Sequence, residues 1–385
     1  MANLCMSLSL LAREAKVLYN NRMIIGIEAQ RANSPAKTGV EHYAKQLILH
    51  LAKTDSQNEY RLYLRSSPEP WFLSLPKNFT IKVMPFPIFW TQFRISWEML
   101  IKPVDVLFIP ASALPLIHPK KTVVTIHDLG WKFYPQSFTW FTRNFLEVST
   151  YFAVKRASKI IAVSQSTKND IVKYYKVPAE KIEVVWHGYE QQDPKEFQIS
   201  NLKFQIPDKY ILFLSTLQPR KNLEGLIDAF RMLKNQYPEI PHKLVVVGRP
   251  GWKFESILKK LDENKDIAEY LNYVSDADRL EILKRASVLI QPAFYEGFGM
   301  QILEAFAAGV PVAVSKVSSM PEVAQEAAIY FDPHNPQDIK NALKSLIFDA
   351  ALAQSLVFKG TERLKSFSWD KCAKETLNVL TLNKK

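Results

Sequence analysis

Short apolar runs alternate with amphipathic helical patterns along nearly the whole chain, in two series separated by a polar stretch. An apolar run without internal alternation needs cover on both faces, and the intervening helices supply it. The pattern therefore predicts α/β architecture with doubly wound, parallel sheets. In the first series the expected strands are Met23–Ile27, Tyr60–Leu64, Ile81–Met84, Val104–Ile109, Thr122–Ile126, Lys159–Val163 and Ile182–Val185. Helical patterns run through His42–Lys53, Asn144–Arg156 and Ser164–Tyr175, with Ser164 as an N-cap. The stretch His187–Pro207 is polar with few apolar anchors and reads as a linker, centred on residues 191–207. After it come strands at Tyr210–Ser215, Lys243–Val247, Leu271–Val274, Val288–Gln291, Val312–Ser315 and Ala328–Phe331. Helices are expected at Leu223–Gln236, Phe254–Glu263, Asp278–Ala286, Met300–Ala308, Met320–Glu326 and Pro336–Asp349, and an amphipathic segment, Trp369–Leu382, closes the chain.

The 385 residues suffice for two domains of ordinary size, here 23–190 and 208–366. Residues 1–22 contain a short apolar run, Leu8–Ala12, with no basic residue ahead of it, so they do not match a signal peptide and read as an extension. The apolar runs are short and broken by proline, so none could span a bilayer. Two cysteines, Cys5 and Cys372, make no disulfide framework and fit reduced thiols in the cytoplasm. The formal charge of +12 is uneven: residues 1–190 carry 24 Lys and Arg against 14 Asp and Glu, and residues 191–385 carry 26 against 24. A basic first half beside aromatic segments such as Phe86–Trp90 and Trp97 can dock on an anionic membrane surface, and it can equally be a solvated surface over a core or cleft. No nucleic-acid motif accompanies the charge, and the cations are scattered, so no nucleic-acid partner is expected.

In open α/β sheets, ligands sit beyond the carboxyl ends of the strands. Five candidate loops lie there. Gly39 follows the first strand, His127 ends Thr122–Ile126, Arg220 and Lys221 follow Tyr210–Ser215, Gly248 ends Lys243–Val247, and Glu296 follows Val288–Gln291. Glu296-Gly297-Phe298-Gly299-Met300 reads as a sharp turn into a helix, placing Glu296 above the helix N-terminus and Glu304 one turn inside it. That arrangement can hold a polyhydroxylated ligand bearing phosphate. Arg220 and Lys221, with Pro219 and Asn222 as turn and cap residues, put two cations at the positive end of a helix, a conflict that an anion such as diphosphate would resolve. The alternative is two solvated cations. His127 could bond a sugar hydroxyl or phosphate, with Asp128 fixing its tautomer or capping the next turn, or it could be a structural histidine. Asp276-Ala-Asp278 matches a metal-binding Asp-x-Asp but reads as the acidic start of a helix capped by Ser275 or Asp276, and no metal-ligand spacing occurs elsewhere.

With these residues in place, the chain resembles the retaining glycosyltransferases of family 4, group 1, with the two-domain GT-B fold, and most of all their mannosyl-type members in bacterial polysaccharide synthesis. The resemblance extends from Met23 to the C-terminus. Its specific part is Gln218–Asn222, Val247–Trp252, Tyr273–Asp276, Pro292–Met300, Glu304–Val312 and Ser318–Glu322. It implies a donor-binding second domain, an acceptor-side first domain, and a terminal helix, 367–385, that crosses back onto the first domain. It implies that Glu304 takes the ribose hydroxyls. Glu296 would hold the transferred sugar, and backbone N–H groups of Gly297, Phe298, Gly299 and Met300 would cradle it. Arg220 and Lys221 would neutralise the departing diphosphate. His127 would face the reacting carbon, and Val274 and Ser275 would lie near the base. Gly39 and Gly248 would let backbone approach the donor. The partners implied are a nucleotide diphosphate sugar, GDP-mannose among the candidates, and a glycan or lipid-linked acceptor. No cofactor and no metal are implied. A non-catalytic sugar-nucleotide-binding subunit is the alternative. Two departures stand out. Glu41, not glycine, follows Val40, and Thr216 stands where some relatives carry a further arginine.

Overall fold

The computed structural model describes residues 22–34, 39–190 and 206–382. The extension expected at 1–22 and the linker at 191–207 fall almost wholly outside the described residues. Seven strands form the first sheet: β1 Ile24–Glu28, β2 Glu59–Leu64, β3 Phe79–Val83, β4 Val106–Ile109, β5 Thr122–Ile126, β6 Lys159–Ala162 and β7 Ile182–Val184. Six form the second: β8 Tyr210–Leu214, β9 Lys243–Val247, β10 Ala268–Asn272, β11 Val288–Gln291, β12 Val312–Ser315 and β13 Ala328–Phe331. The orders are β3-β2-β1-β4-β5-β6-β7 and β10-β9-β8-β11-β12-β13, every pairing parallel. Each sheet starts in its middle, grows to one side and then reverses. The switch points lie between β1 and β4 and between β8 and β11.

The central strands are buried on both faces, as the uninterrupted apolar runs require. All residues of β5 and β8 are buried. One core cluster under the first sheet joins Ile25, Ile27, Leu47 and Phe108 to Trp369, Cys372 and Leu380 of the terminal helix Trp369–Thr381. That helix thus completes the core of the sheet made by the other end of the chain, and burial pushes the Cys372 thiol up to about 12.

Three expectations fail locally. The Leu271–Val274 strand shifts back to Ala268–Asn272, because Asn272 turns into the left-handed region at φ 57° and ends the pairing. A helix not expected, Ala350–Leu364, follows Asp349. It contains Gly360, which weakens the helical signal. A Cβ there would meet Phe306 Cδ1 at 2.5 Å, so the glycine allows close packing on the helix that carries Glu304. The polar linker reading does not hold at its start, where His187 is buried with its ring stacked on Tyr43.

Candidate active site

Because β8 and β11 are neighbours across the switch point, the loops leaving them open a crevice, and its two walls carry the expected residues. After β8 the chain makes a short turn, Pro219–Lys221, before the helix Leu223–Gln236. Asn222 occupies the cap position in a left-handed conformation, but its side chain donates to the Pro333 carbonyl (2.8 Å) and does not cap. The turn points Lys221 inward, where it is only 6% exposed. Its ammonium donates to Glu296, and Arg220 lies 3.7 Å from the other oxygen of the same carboxylate. Arg220 also donates to the Tyr295 carbonyl (3.0 Å) and stands 4.0 Å from Asp128. Burial, and then Arg220, hold the Lys221 ammonium below its usual range against the pull of Glu296. The sequence reading gave Arg220 and Lys221 one task, the diphosphate, and Glu296 another, the transferred sugar. The structure makes them one charged cluster.

Gly299 adopts φ 93° and starts the helix Met300–Ala308, and the expected turn-into-helix is present. Gly297 is tighter still, since a Cβ would meet the His127 carbonyl oxygen at 2.0 Å. It is therefore also the point where the second domain's loop rests on the first domain. Thr167 clamps the same place, donating towards the His127 and Gly297 carbonyls at 3.3 and 3.5 Å. The Phe298 ring is buried against His187 (4.7 Å), so only its backbone can serve a ligand. Met300 is partly buried against both domain cores. Val274 is buried in the core, and the Ser275 hydroxyl caps the helix Asp276–Arg285, accepting from Asp278 N at 3.1 Å. Gly248 ends β9 with its backbone against Ser215, and Gly39 opens the helix Gly39–Thr54 with free space around its Cα.

His127 Nε2 is 2.9 Å from the Pro110 carbonyl, beyond β4, and therefore carries the proton, leaving Nδ1 as the acceptor. Burial lowers the basicity of the ring. Asp128 leaves the tautomer alone and accepts from Gly130 N (2.8 Å), bracing the turn after His127.

Several residues at the crevice escaped sequence reasoning. Arg279 pairs with Glu304 at 2.6 Å. The cue was available: a cation in the acidic first turn of a helix, against the dipole, calls for an anionic partner. Glu322 receives backbone N–H groups of Gln165 (2.8 Å) and Ser166 (3.2 Å) at the start of the helix Gln165–Tyr175, and the Trp186 indole (2.6 Å), tying the domains together. Tyr295 donates to Asp170 (2.7 Å) and stacks on Phe133. Glu28, the last residue of β1, is buried, and burial pushes its carboxyl up to about 7 against Arg31 and the Gln30 N–H. No local pattern marks Glu322 or Tyr295, because their partners are distant in sequence. Among the described residues no three potential ligands cluster as a metal site.

Trp90 proves to be core, its indole donating to the Met84 carbonyl. Its neighbours do not: Ile88, Phe89, Phe93, Trp97 (57% exposed) and Trp140 (75%) face outward, and Phe89 reaches Phe145 at 6.5 Å, joining two segments into one apolar face on the first domain. No helix among the described residues is long and apolar enough to cross a membrane.

Comparison with known proteins agrees with this geometry. Residues 37–192 match the model described as Glycosyltransferase Family 4, and residues 194–363 match Glycosyl transferases group 1. The chain is 30% identical over 271 residues to the O-antigen chain mannosyltransferase B of Escherichia coli, covering 68% of this chain and 71% of that protein. Sucrose-phosphate synthase of Thermosynechococcus elongatus superposes with a TM-score of 0.70 at 19% identity, over 93% of this chain and 98% of that one. HepE of Anabaena, solved with UDP and glucose, gives 0.68 at 18% identity, over 94% and 100%. The protein is therefore a transferase with the GT-B fold that belongs to the family 4, group 1 glycosyltransferases.

Proposed function

We propose that the protein moves a mannosyl-type sugar from a nucleoside diphosphate sugar to a glycan or lipid-linked hydroxyl in polysaccharide synthesis, with retention of configuration and without a metal. The observation that carries the reading is the Arg220–Lys221–Glu296 cluster at the second switch point, opposite His127. Breaking the sugar–phosphate bond builds positive charge on the ring and negative charge on the phosphate. Two fixed cations are suited to the departing diphosphate, and each such interaction contributes roughly 3–4 kcal/mol in the transition state. The acceptor oxygen forms the new bond to the anomeric carbon as the C–O bond to phosphate breaks. The acceptor proton passes to the leaving phosphate on the same face, so no separate general base is needed. Glu296 and Glu304 act in recognition and not as a hydrolase carboxylate pair. The name of the Escherichia coli relative supports a mannosyl group, and the UDP and glucose in HepE support a nucleotide-sugar donor.

The outward aromatic face, in a half of the chain with a formal excess of positive charge, supports docking on the anionic inner face of the cytoplasmic membrane. Two measurements test the donor and the reaction, and vesicle binding tests the membrane contact. The first is a thermal-shift screen of GDP- and UDP-sugars, where a true donor at 100 times its dissociation constant adds about 2.7 kcal/mol. The second is product analysis with the best donor. No shift with any nucleotide sugar would count decisively against the proposal, and inverted product would overturn retention. Failure to bind phosphatidylglycerol vesicles at low salt would remove the membrane contact.

A further inference from the structure

Glu304 does not stand alone in the crevice. Arg279 Nη1 lies 2.6 Å from its Oε1, and Arg279 Nε lies 3.5 Å from Asp276 on the loop side of its own helix. Both partners are largely shielded, at 25% and 19% side-chain exposure. The contact joins two elements that leave different strands: the helix Asp276–Arg285 follows β10, and the helix Met300–Ala308 follows β11. Tyr189, where the chain leaves the first domain, is close enough to feel the charges of both Glu304 and Arg279. After burial, the charge of Glu304 is the main influence pushing its phenol up to about 12. The guanidinium is in turn held in its charged form chiefly by Glu304.

A free carboxylate on a helix can rotate about its last torsion, which is broad and unrestrictive. A guanidinium held against Oε1, with Asp276 beside it at 3.5 Å, restricts that freedom. Arg279 engages Oε1, which leaves Oε2 for a ligand, and each carboxylate oxygen can accept more than one bond. Two vicinal hydroxyls can therefore add to Glu304 without displacing Arg279.

We propose that Arg279 is a positioning residue for nucleotide recognition: it fixes the plane of the Glu304 carboxylate so that the ribose diol of the donor is read by both oxygens. The inference rests on the donor reading above. Arginine is required in this role because its planar fork spans Glu304 and Asp276 together, which the point charge of lysine does not do.

The test is calorimetric titration of GDP and UDP, and of their 2′-deoxy forms, into the wild type, Arg279→Ala, Arg279→Lys and Glu304→Gln. Far-ultraviolet circular dichroism checks that each variant is folded. The wild type should prefer the ribonucleotide by about tenfold or more, the worth of a hydrogen bond to a charged group. Arg279→Ala should weaken the ribonucleotide by a similar factor and bring the ribo-to-deoxy ratio close to one, as Glu304→Gln does. Arg279→Lys should restore the charge but little of the ratio. An unchanged ratio in Arg279→Ala would overturn the inference, as would tighter binding, which would make Arg279 an obstruction. If Arg279→Ala is unfolded, full discrimination in Arg279→Lys overturns it by itself. If the wild type binds neither nucleotide, the donor reading fails and takes this inference with it.

Discussion

Consider Lys221→Ala, alone and combined with Glu296→Ala. Lys221 is buried and donates to Glu296, whose side chain is also mostly shielded. Removing the ammonium leaves a buried carboxylate whose nearest cation is Arg220 at 3.7 Å. Breaking one partner of a buried pair costs about 3–5 kcal/mol, because the remaining charge is desolvated without compensation. Arg220 still offers about 4 kcal/mol of gross attraction at that distance with an effective dielectric of 20, so the loss should fall at the lower end, about 3 kcal/mol. Removing both partners eliminates the stranded charge, and the double variant should recover at least half of that stability. Activity should follow the opposite rule. If Lys221 stabilises the leaving diphosphate, kcat falls about 100- to 1000-fold in the single variant and stays down in the double. Urea unfolding and single-turnover donor cleavage separate the two quantities. A folded Lys221→Ala whose kcat stays within tenfold of the wild type would show Lys221 to be a structural counter-ion, and the catalytic assignment would be wrong.

Other outcomes follow from the same geometry. Gly297→Ala puts a methyl 2.0 Å from the His127 carbonyl, so it should lower activity at least tenfold and weaken the interdomain contact, read as new proteolysis near residue 297 with near-native circular dichroism. His187 is buried with no hydrogen-bond partner for either ring nitrogen among the described residues. His187→Phe should therefore cost less than about 1.5 kcal/mol at neutral pH, and a loss beyond about 3 kcal/mol would show a partner that the reasoning lacks. Burial holds both His127 and His187 below 6.5 in the folded chain, so their contribution to stability is whole above about pH 6.5 and declines as pH falls from there towards their folded values. His187→Phe should flatten that acid limb of urea stability measured against pH, and an unchanged limb would assign it to other groups.

How far the sequence reaches differs from residue to residue. Short apolar runs such as Val288–Gln291 and Thr122–Ile126 coincide with their strands, because runs dominated by Val, Ile and Leu gain most from burial on both faces and take their few polar side chains in with them. The turn at Glu296–Met300 was equally legible, since Gly299 takes a backbone angle that side chains resist. The Ser164 cap was read from its own neighbourhood, and of the two caps offered by Ser275 and Asp276 the structure uses Ser275. In contrast, Leu271–Val274 looked like a strand, yet β10 stops at Asn272 and the Val274 side chain packs in the core beyond it. Asp128 offered two tasks to a reader of the sequence, and only the position of the Pro110 carbonyl selected between them.

By itself, then, the sequence determined the alternation, the ends of the strands where a ligand belongs, and the residue types gathered there. These are local matters, set by burial, backbone freedom and capping. Which strands are neighbours was left to the tertiary structure. Placing β8 beside β11 turned Arg220, Lys221 and Glu296 into one cluster, and packing the helix after β10 against the helix after β11 brought Arg279 to Glu304. Such pairings depend on strand order and on close approach at Gly297, against the His127 backbone, and at Gly360, against the Phe306 ring, and neither is encoded within any single stretch of chain.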